Sequence, residues 1–554
     1  MHAFSALLDR LILTPSRNAK LTLLVDYFHT APDPDRGYAL AAITRDLDIS
    51  NVKPALLRRL IEERMDPMLF SYSYDYVGDM AETIALAWPS VNADSNMSGA
   101  GVRLAAVVAA LHDVPKAGAP ALVAGFLDQL DRTTRWAFLK LLTGGLRIGV
   151  SARLVKQALA GFGAVDVTEI EELWHGLTPP YTSLFAWLEG RATRPVNLAA
   201  APFRPVMLAH PLEAADHARI NPEDYAAEWK WDGIRVQATA EAGTVRLYSR
   251  TGDDISAAFP DILEALNFNG AIDGELLVKA LDAEPEGERD ARSAIPVASF
   301  GDLQQRLNRK AVSKKLLATH PAFIRAYDLL QEGNENLRAL PFAERRKRLE
   351  ALILRLANDR IDLSPLISYR HVDDLDQYRA KPPYPVIEGV MLKRWDSIYE
   401  PGRPKGPWFK WKKQPYIIDA VLMYAQRGHG KRSSFYSDYT FGVWLGGSDA
   451  ADRDHSDGAV LVPVGKAYFG FSDDELKQID KYVRDNTVER FGPVRAVRAE
   501  AGHGLVFEVA FEGLNRSTRH KSGVAMRFPR ISRLRWDKHP RDADRIETLE
   551  AMLG

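Results

Sequence analysis

The chain has 554 residues, too many for one hydrophobic core, so three or four domains are expected. Hydrophobic residues make up 46% and charged residues 26%, ordinary for a globular protein, and no apolar run is long enough to span a membrane. Cysteine is absent, which excludes disulfides and thiolate-bound zinc, and 72 basic against 73 acidic residues leave a net charge of −1, so a polyanion-binding face must come from local clustering.

The N-terminus lacks a signal-peptide pattern, and the chain reads as cytoplasmic. Residues 1–195 read as all-α. Phe4, Leu7, Leu8, Leu11 and Leu13 recur at helical spacing, and Leu104–Leu111 and Trp136–Leu142 are further apolar runs. Within Leu141–Ser151, glycines surround Arg147 and lead to Ser151, a candidate N-cap. A helix start of this kind offers N–H groups to a phosphate, and an ordinary helix–turn–helix junction accounts for it as well. Residues 196–207, rich in Pro and Ala, read as a linker.

Over 208–414 short β-rich runs alternate with helices, giving an α+β domain with a largely antiparallel sheet. Val236–Tyr248 reads as a hairpin turning at Gly243, Phe323–Leu330 and Val386–Lys393 as strands, and Phe300–Lys310 and Phe342–Leu356 as helices. Over 415–540 about five strands and one helix, with Ser472 and Glu475 as a capping box, suggest a β-barrel of the OB type. The tail 541–554 reads as a short amphipathic helix.

Chemistry concentrates in a series of short stretches. Glu228-Trp229-Lys230-Trp231-Asp232-Gly233 sets an amine in a partly apolar wall before a turn. Lysine is a nucleophile once part of it is neutral, but a snorkelling lysine on an amphipathic strand fits equally well. Ser249-Arg250-Thr251-Gly252 and Asp273-Gly274-Glu275 follow, the latter putting two carboxylates on one strand face, suited to a ribose or a hard cation. Tyr327 ends a strand where a ring could stack on a purine. Glu388, in Glu388-Gly389-Val390-Met391-Leu392-Lys393, is a lone carboxylate among apolar residues. Lys410 and Lys412 share one face of Trp408-Phe409-Lys410-Trp411-Lys412. A basic stretch, Arg527-Phe528-Pro529-Arg530 through Lys538, and a basic glycine-rich loop at Lys431 and Arg432 complete the set.

Taken in order, these stretches resemble motifs I, Ia, III, IIIa, IV, V and VI of the ATP-dependent DNA ligases, members of the covalent nucleotidyltransferases. The Leu141–Ser151 stretch is similar to a loop of their helical DNA-binding domain, and Pro205–Ala209 to the lead-in of their catalytic core. Tyr327 stands where the family usually has Phe, Trp536 where it usually has an acidic or polar residue, and residues 282–293 are an insertion.

The resemblance implies a helical DNA-binding domain over 1–195, an adenylation domain over 208–414 and an OB-fold domain over 415–540. It implies an enzyme sealing 5′-phosphate/3′-hydroxyl nicks in DNA repair, recombination or replication, with ATP as substrate and Mg²⁺, or alternatively Mn²⁺, as cofactor. Lys230 would carry AMP. Glu228, Arg235, Arg250, Glu275, Tyr327, Arg403, Lys410 and Lys412 would bind ATP, and Glu275 and Glu388 the metal. Arg527, Arg530 and Lys538 would meet the distal phosphates. Arg147, Gly149, Lys431 and Arg432 would grip nicked duplex DNA encircled by a monomer. An RNA ligase or capping-type transferase, and a catalytically dead DNA-binding scaffold, are the alternatives.

Overall fold

A computed structural model describes all residues except 50–51, 90–100, 282–294, 308, 310, 428–435, 447–458, 469–471, 518–519 and 554. The chain divides into two units. One is Met1–Ala158, Pro179–Thr182 and Gln414–Gly554; the other is Leu159–Thr178 and Ser183–Lys413.

From His2 to Leu188 the described residues form helices and no strand. The helix His2–Leu13 buries Phe4, Leu7, Leu8 and Leu11, but Leu13 is 63% exposed. The i, i+3, i+4, i+7 series passes to the next turn after Leu11, so Leu13 lies off the stripe it was expected to join. The helix Arg132–Thr143 stops at Gly144, and Ser151 Oγ accepts the Leu154 N–H at 3.2 Å to start Ala152–Gly163, as the sequence suggested.

The described residues of the second unit form the strands β1 (His210–Pro211), β2 (Tyr225–Trp231), β3 (Ile234–Glu241), β4 (Thr244–Ser249), β5 (Gly270–Val278), β6 (Ala322–Glu332), β7 (Glu335–Asn336), β8 (Ile361–Leu363), β9 (Ile387–Arg394) and β10 (Trp408–Lys412). They make a four-stranded sheet in the order β1-β10-β9-β2 and a six-stranded sheet, β4-β3-β5-β6-β7 with β8 beside β6. All pairs are antiparallel except β1–β10 and β6–β8. The helix Phe342–Leu356 lays Leu349 and Leu352 into the larger sheet's core with Val236, Ile272 and Leu329. The helix expected over Phe300–Lys310 is confined to Phe300–Gln304. Beyond it Arg306 turns inward, fully buried, to pair with Asp261.

Residues 201–207, read as part of a linker, are laid onto this sheet. Ala201 and Met207 are buried, and Thr239 and the Tyr248 hydroxyl both donate to the Ala201 carbonyl. Lone prolines do not report such docking, because the partners lie in the sheet.

The last part of the chain carries β11 (Tyr416–Arg427), β12 (Tyr436–Leu445), β13 (Val460–Ala467), β14 (Thr487–Phe491), β15 (Val494–Val497), β16 (Val506–Phe511), β17 (Gly513–Arg516), β18 (Val524–Arg527) and β19 (Arg530–Arg535). β11 pairs with β12 on one edge. On the other it pairs with β16 through Tyr416–Val421 and with β15 through Tyr424–Gln426. This change of partner along one long strand curls a seven-stranded antiparallel sheet of OB type, with the helix Asp473–Asp485 after β13. Ser472 and Glu475 form the expected capping box. The β14–β15 hairpin escaped the sequence reading because β14 is largely exposed and shows no alternation. The tail helix is shorter than expected, Ile546–Ala551. The preceding residues are held against the sheet, where Asp544 N–H donates to the Asp419 carbonyl at 2.8 Å.

Candidate active site

A tight turn carries the chain from the smaller sheet of the second unit into the larger. β2 ends the smaller sheet at Trp231, Asp232-Gly233 turns, and β3 enters the larger sheet. A Cβ on Gly233 would lie 2.6 Å from the Leu276 carbonyl and 2.8 Å from Glu275 Cγ, so glycine alone lets this turn close on β5.

Lys230 and Lys412 are both paired in register with Gly389, one from each side of β9. Glu388 spans them. Lys230 Nζ donates to its Oε1 at 2.5 Å, and Lys412 Nζ lies 2.8 Å from its Oε2. Burial raises the Glu388 pKa, but the two lysines outweigh it and hold the carboxyl below its ordinary range. Gly389 has φ +150°, and a Cβ there would lie 2.1 Å from the Trp411 carbonyl oxygen.

Glu275 behaves oppositely. Burial, with Glu388 adding, pushes its pKa up to about 7 against the opposing pull of Lys230 and Arg235. Asp273, read with Glu275 as a donor to a ribose or a cation, is fully buried, and its oxygens are engaged. It accepts from Arg235 Nη2 at 2.6 Å, from Gln237 Nε2 at 3.1 Å and from the Tyr399 hydroxyl. Arg235 also donates to Tyr399 Oη at 3.0 Å and to the Met207 carbonyl. Asp273 therefore anchors Arg235 from below, and Gln237 extends the network to the Arg204 backbone.

Further cations gather here. The Lys410 pKa is lowered by burial and then by Arg403, Lys230, Lys412 and Arg250. Such a cluster suits a polyphosphate, whose negative charge would relieve the mutual repulsion. Among the described residues no group of three or more His, Cys, Asp or Glu side chains forms a metal site. Glu275 and Glu388 are two electrostatically coupled carboxylates, which fits a Mg²⁺ ion that keeps waters and substrate oxygens as its other ligands.

Glu228, two residues before Lys230, is 2% exposed and enclosed by cations. Arg346 Nη1 donates to Oε1 at 3.0 Å, and Lys393 Nζ lies 2.8 Å from Oε2. Tyr327 lies beside it, its ring centroid 4.4 Å from Lys393 Nζ and 5.8 Å from the Arg235 guanidinium. Lys393, Arg346 and Tyr399 were not assigned from sequence. Lys393 stood inside a quoted stretch, but Arg346 reads as one more charge on an amphipathic helix.

Arg527, Arg530, Lys538, Arg147 and Gly149 belong to the first unit. Arg527 ends β18, and Arg530 on β19 faces Glu512 at 3.6 Å. Lys538 Nζ donates to Asp419 Oδ2 at 2.7 Å, a carboxylate shared with Arg535. Arg147 is exposed with φ 49°, and the buried Lys20 donates to the carbonyls of Ile148 and Gly149 at 2.8 and 3.0 Å, fixing the loop. Lys431, Arg432 and the insertion 282–293 fall outside the described residues.

Residues 206–412 match the family model for the ATP dependent DNA ligase domain, and 432–538 that for the ATP dependent DNA ligase C terminal region. The chain is 32% identical over 437 residues to a probable DNA ligase of Koribacter versatilis, covering 74% of this chain and 70% of that one. It is 30% identical over 426 residues to DNA ligase 1 of Korarchaeum cryptofilum, covering 76% and 72%. A solved structure named Pmar-Lig_PreS3 is similar over 96% of this chain and 99% of its own, with TM-score 0.55 and 15% identity, a likeness of fold alone. No helix among the described residues is long and apolar enough to cross a membrane.

Proposed function

From its membership of the ATP-dependent DNA ligase family, established by the adenylation-domain match and the relatives above, we propose that this chain seals nicks in duplex DNA through AMP carried on Lys230. The observation that carries the reading is the Lys230–Glu388–Lys412 bridge beside Glu275.

In the first step the Lys230 amine attacks the α-phosphorus of ATP, a P–N bond forms and pyrophosphate leaves. The Glu388 carboxylate, 2.5 Å from Nζ, is an acceptor already in contact with the amine's proton. Lys410 and Lys412 neutralise the α-phosphate, Arg250, Arg403 and Arg235 line the ribose and phosphates, Glu275 meets the ribose, Tyr327 stacks on adenine, and Glu228 accepts from its amino group. Arg527, Arg530 and Lys538 bind the β- and γ-phosphates. A Mg²⁺ ion held by Glu275 and Glu388 would supply further charge neutralisation.

AMP then passes to the 5′-phosphate of the nick. The 3′-hydroxyl attacks that phosphate and AMP leaves. Each step is displacement at phosphorus, so positioning and charge neutralisation do most of the work. Arg147, Gly149, Lys431 and Arg432 hold the DNA backbone, and a monomer working in the cytoplasm serves repair, recombination or replication.

The test incubates the protein with α-labelled ATP and a divalent metal, and runs a denaturing gel beside Lys230→Ala. Label on the wild type alone, chased onto nicked DNA and lost on sealing, is the expected result. Absence of both label and pre-attached AMP, read by mass spectrometry, would overturn the reading.

A further inference from the structure

Lys393 is 1% exposed, and the catalytic scheme leaves it without a task. Its ammonium sits in a cage of three rings, 4.4 Å from the centroid of Tyr327 and 4.9 Å from those of Phe342 and Trp408. It also donates to the Tyr327 carbonyl at 3.1 Å and pairs with Glu228 at 2.8 Å. Burying an ammonium so completely is unfavourable unless its partners compensate. Its partners are the two residues assigned to the base: Tyr327 for the plane, Glu228 for the edge. Arg346, 4% exposed, closes the other side of Glu228 at 3.0 Å and is itself steadied by Glu350 at 2.8 Å.

We propose that Lys393 and Arg346 are positioning residues through which the nucleotide site selects adenine, a proposal that rests on Glu228 and Tyr327 meeting the base. Held in ion pairs with Arg346 and Lys393, the Glu228 carboxylate serves as an acceptor. Each cation uses one oxygen, and each oxygen keeps a second lone pair. Such a group takes a hydrogen bond from the 6-amino group of adenine and repels the 6-oxo group of guanine or hypoxanthine. Glu228 and Lys230 stand two residues apart on one strand, hence on one face, so the base edge and the α-phosphate are read from the same surface. Lys393 locks the edge-reading carboxylate to the ring that sets the plane of the base, so neither moves without the other.

The experiment measures single-turnover formation of the nucleotide adduct by the full chain with ATP, inosine triphosphate and GTP, over a range of nucleotide concentrations. Wild type is expected to favour ATP over inosine triphosphate by at least about 100-fold, because an unmatched polar edge is rejected strongly. In Lys393→Met and Arg346→Met this preference falls at least about tenfold. The loss appears in the ATP concentration for half-maximal rate, with the maximal rate within about threefold, and Lys393→Arg restores most of it. If ATP and inosine triphosphate lose the same factor in both Met variants, the cage only holds the fold together and the proposal is overturned. Should Lys393→Met fail to fold in a thermal melt, Arg346→Met and the wild-type nucleotide series decide on the same criterion. A wild type that labels equally with all three nucleotides overturns the selection proposal alone; one that labels with none and carries no pre-attached AMP by mass spectrometry overturns the assignment of Lys230 as well.

Discussion

Glu388 meets Lys230 and Lys412 through different oxygens, so neutralising it removes the carboxylate that bridges two partly buried ammonium groups. Glu388→Gln is expected to slow adduct formation on Lys230 by at least about a hundredfold, a loss typical of removing a group that both orients and neutralises. Single-turnover labelling measures it, and a near-wild-type rate would remove Glu388 from the chemistry. Glu275 yields a prediction about pH. Its pKa is raised from 4.5 to about 7, so the folded state holds a proton that the unfolded state gives up near 4.5. Stability from this group is therefore full below about pH 4.5 and declines as pH rises through 7, by at most about 3 kcal/mol. Denaturant unfolding of nucleotide-free protein should show wild type losing stability relative to Glu275→Gln between pH 5 and 8 by up to that amount. A constant difference between the two proteins across that range would mean that Glu275 is ionised throughout.

At the scale of elements, β9 carries the greatest constraint. It lies between β2 and β10, and Gly389 is where Lys230 and Lys412 converge. Gly389→Ala would need a Cβ 2.1 Å from a carbonyl oxygen at a φ that side chains avoid. It should cost at least about 2–3 kcal/mol, read as a lowered urea midpoint, and should abolish labelling because the two lysines are driven apart. The same strand shows what sequence could and could not disclose. Lys230, Glu275, Glu388 and Lys412 were picked out through the resemblance of their short stretches to the ligase motifs, since spacing alone left each open to a blander reading. The Arg346–Glu228 pair spans 118 residues, and nothing in the periodicity of the helix Phe342–Leu356 marks which of its arginines points inward. Asp273 was read with Glu275 as a donor to a ribose or a cation, because alternation reports a shared face and not how deeply each residue on it is buried. Leu13 and the shortened tail helix show the same limit, since both were settled by where the chain turned or paired, not by composition.

For the whole molecule, a net charge of −1 means that DNA affinity has to arise from local cations, and many are already matched. Arg530 faces Glu512, Arg533 faces Glu508, and Arg535 and Lys538 share Asp419. A cation with a carboxylate partner gains less from a phosphate, since it must give up or share that partner. Arg147 is exposed, on a loop whose backbone is fixed by the buried Lys20. A pre-shaped loop with an exposed guanidinium loses little entropy on meeting a backbone phosphate. Arg147→Ala is therefore expected to weaken binding to nicked duplex by a similar factor whatever the sequence around the nick, and to reduce the slope of log affinity against log salt by about one. Fluorescence anisotropy between about 50 and 200 mM salt measures both quantities. An unchanged slope would exclude Arg147 from phosphate contact, and a loss confined to some nick sequences would assign it to base edges instead. Because adduct formation on Lys230 involves no DNA, the same variant should label at the wild-type rate, which separates a binding defect from a chemical one.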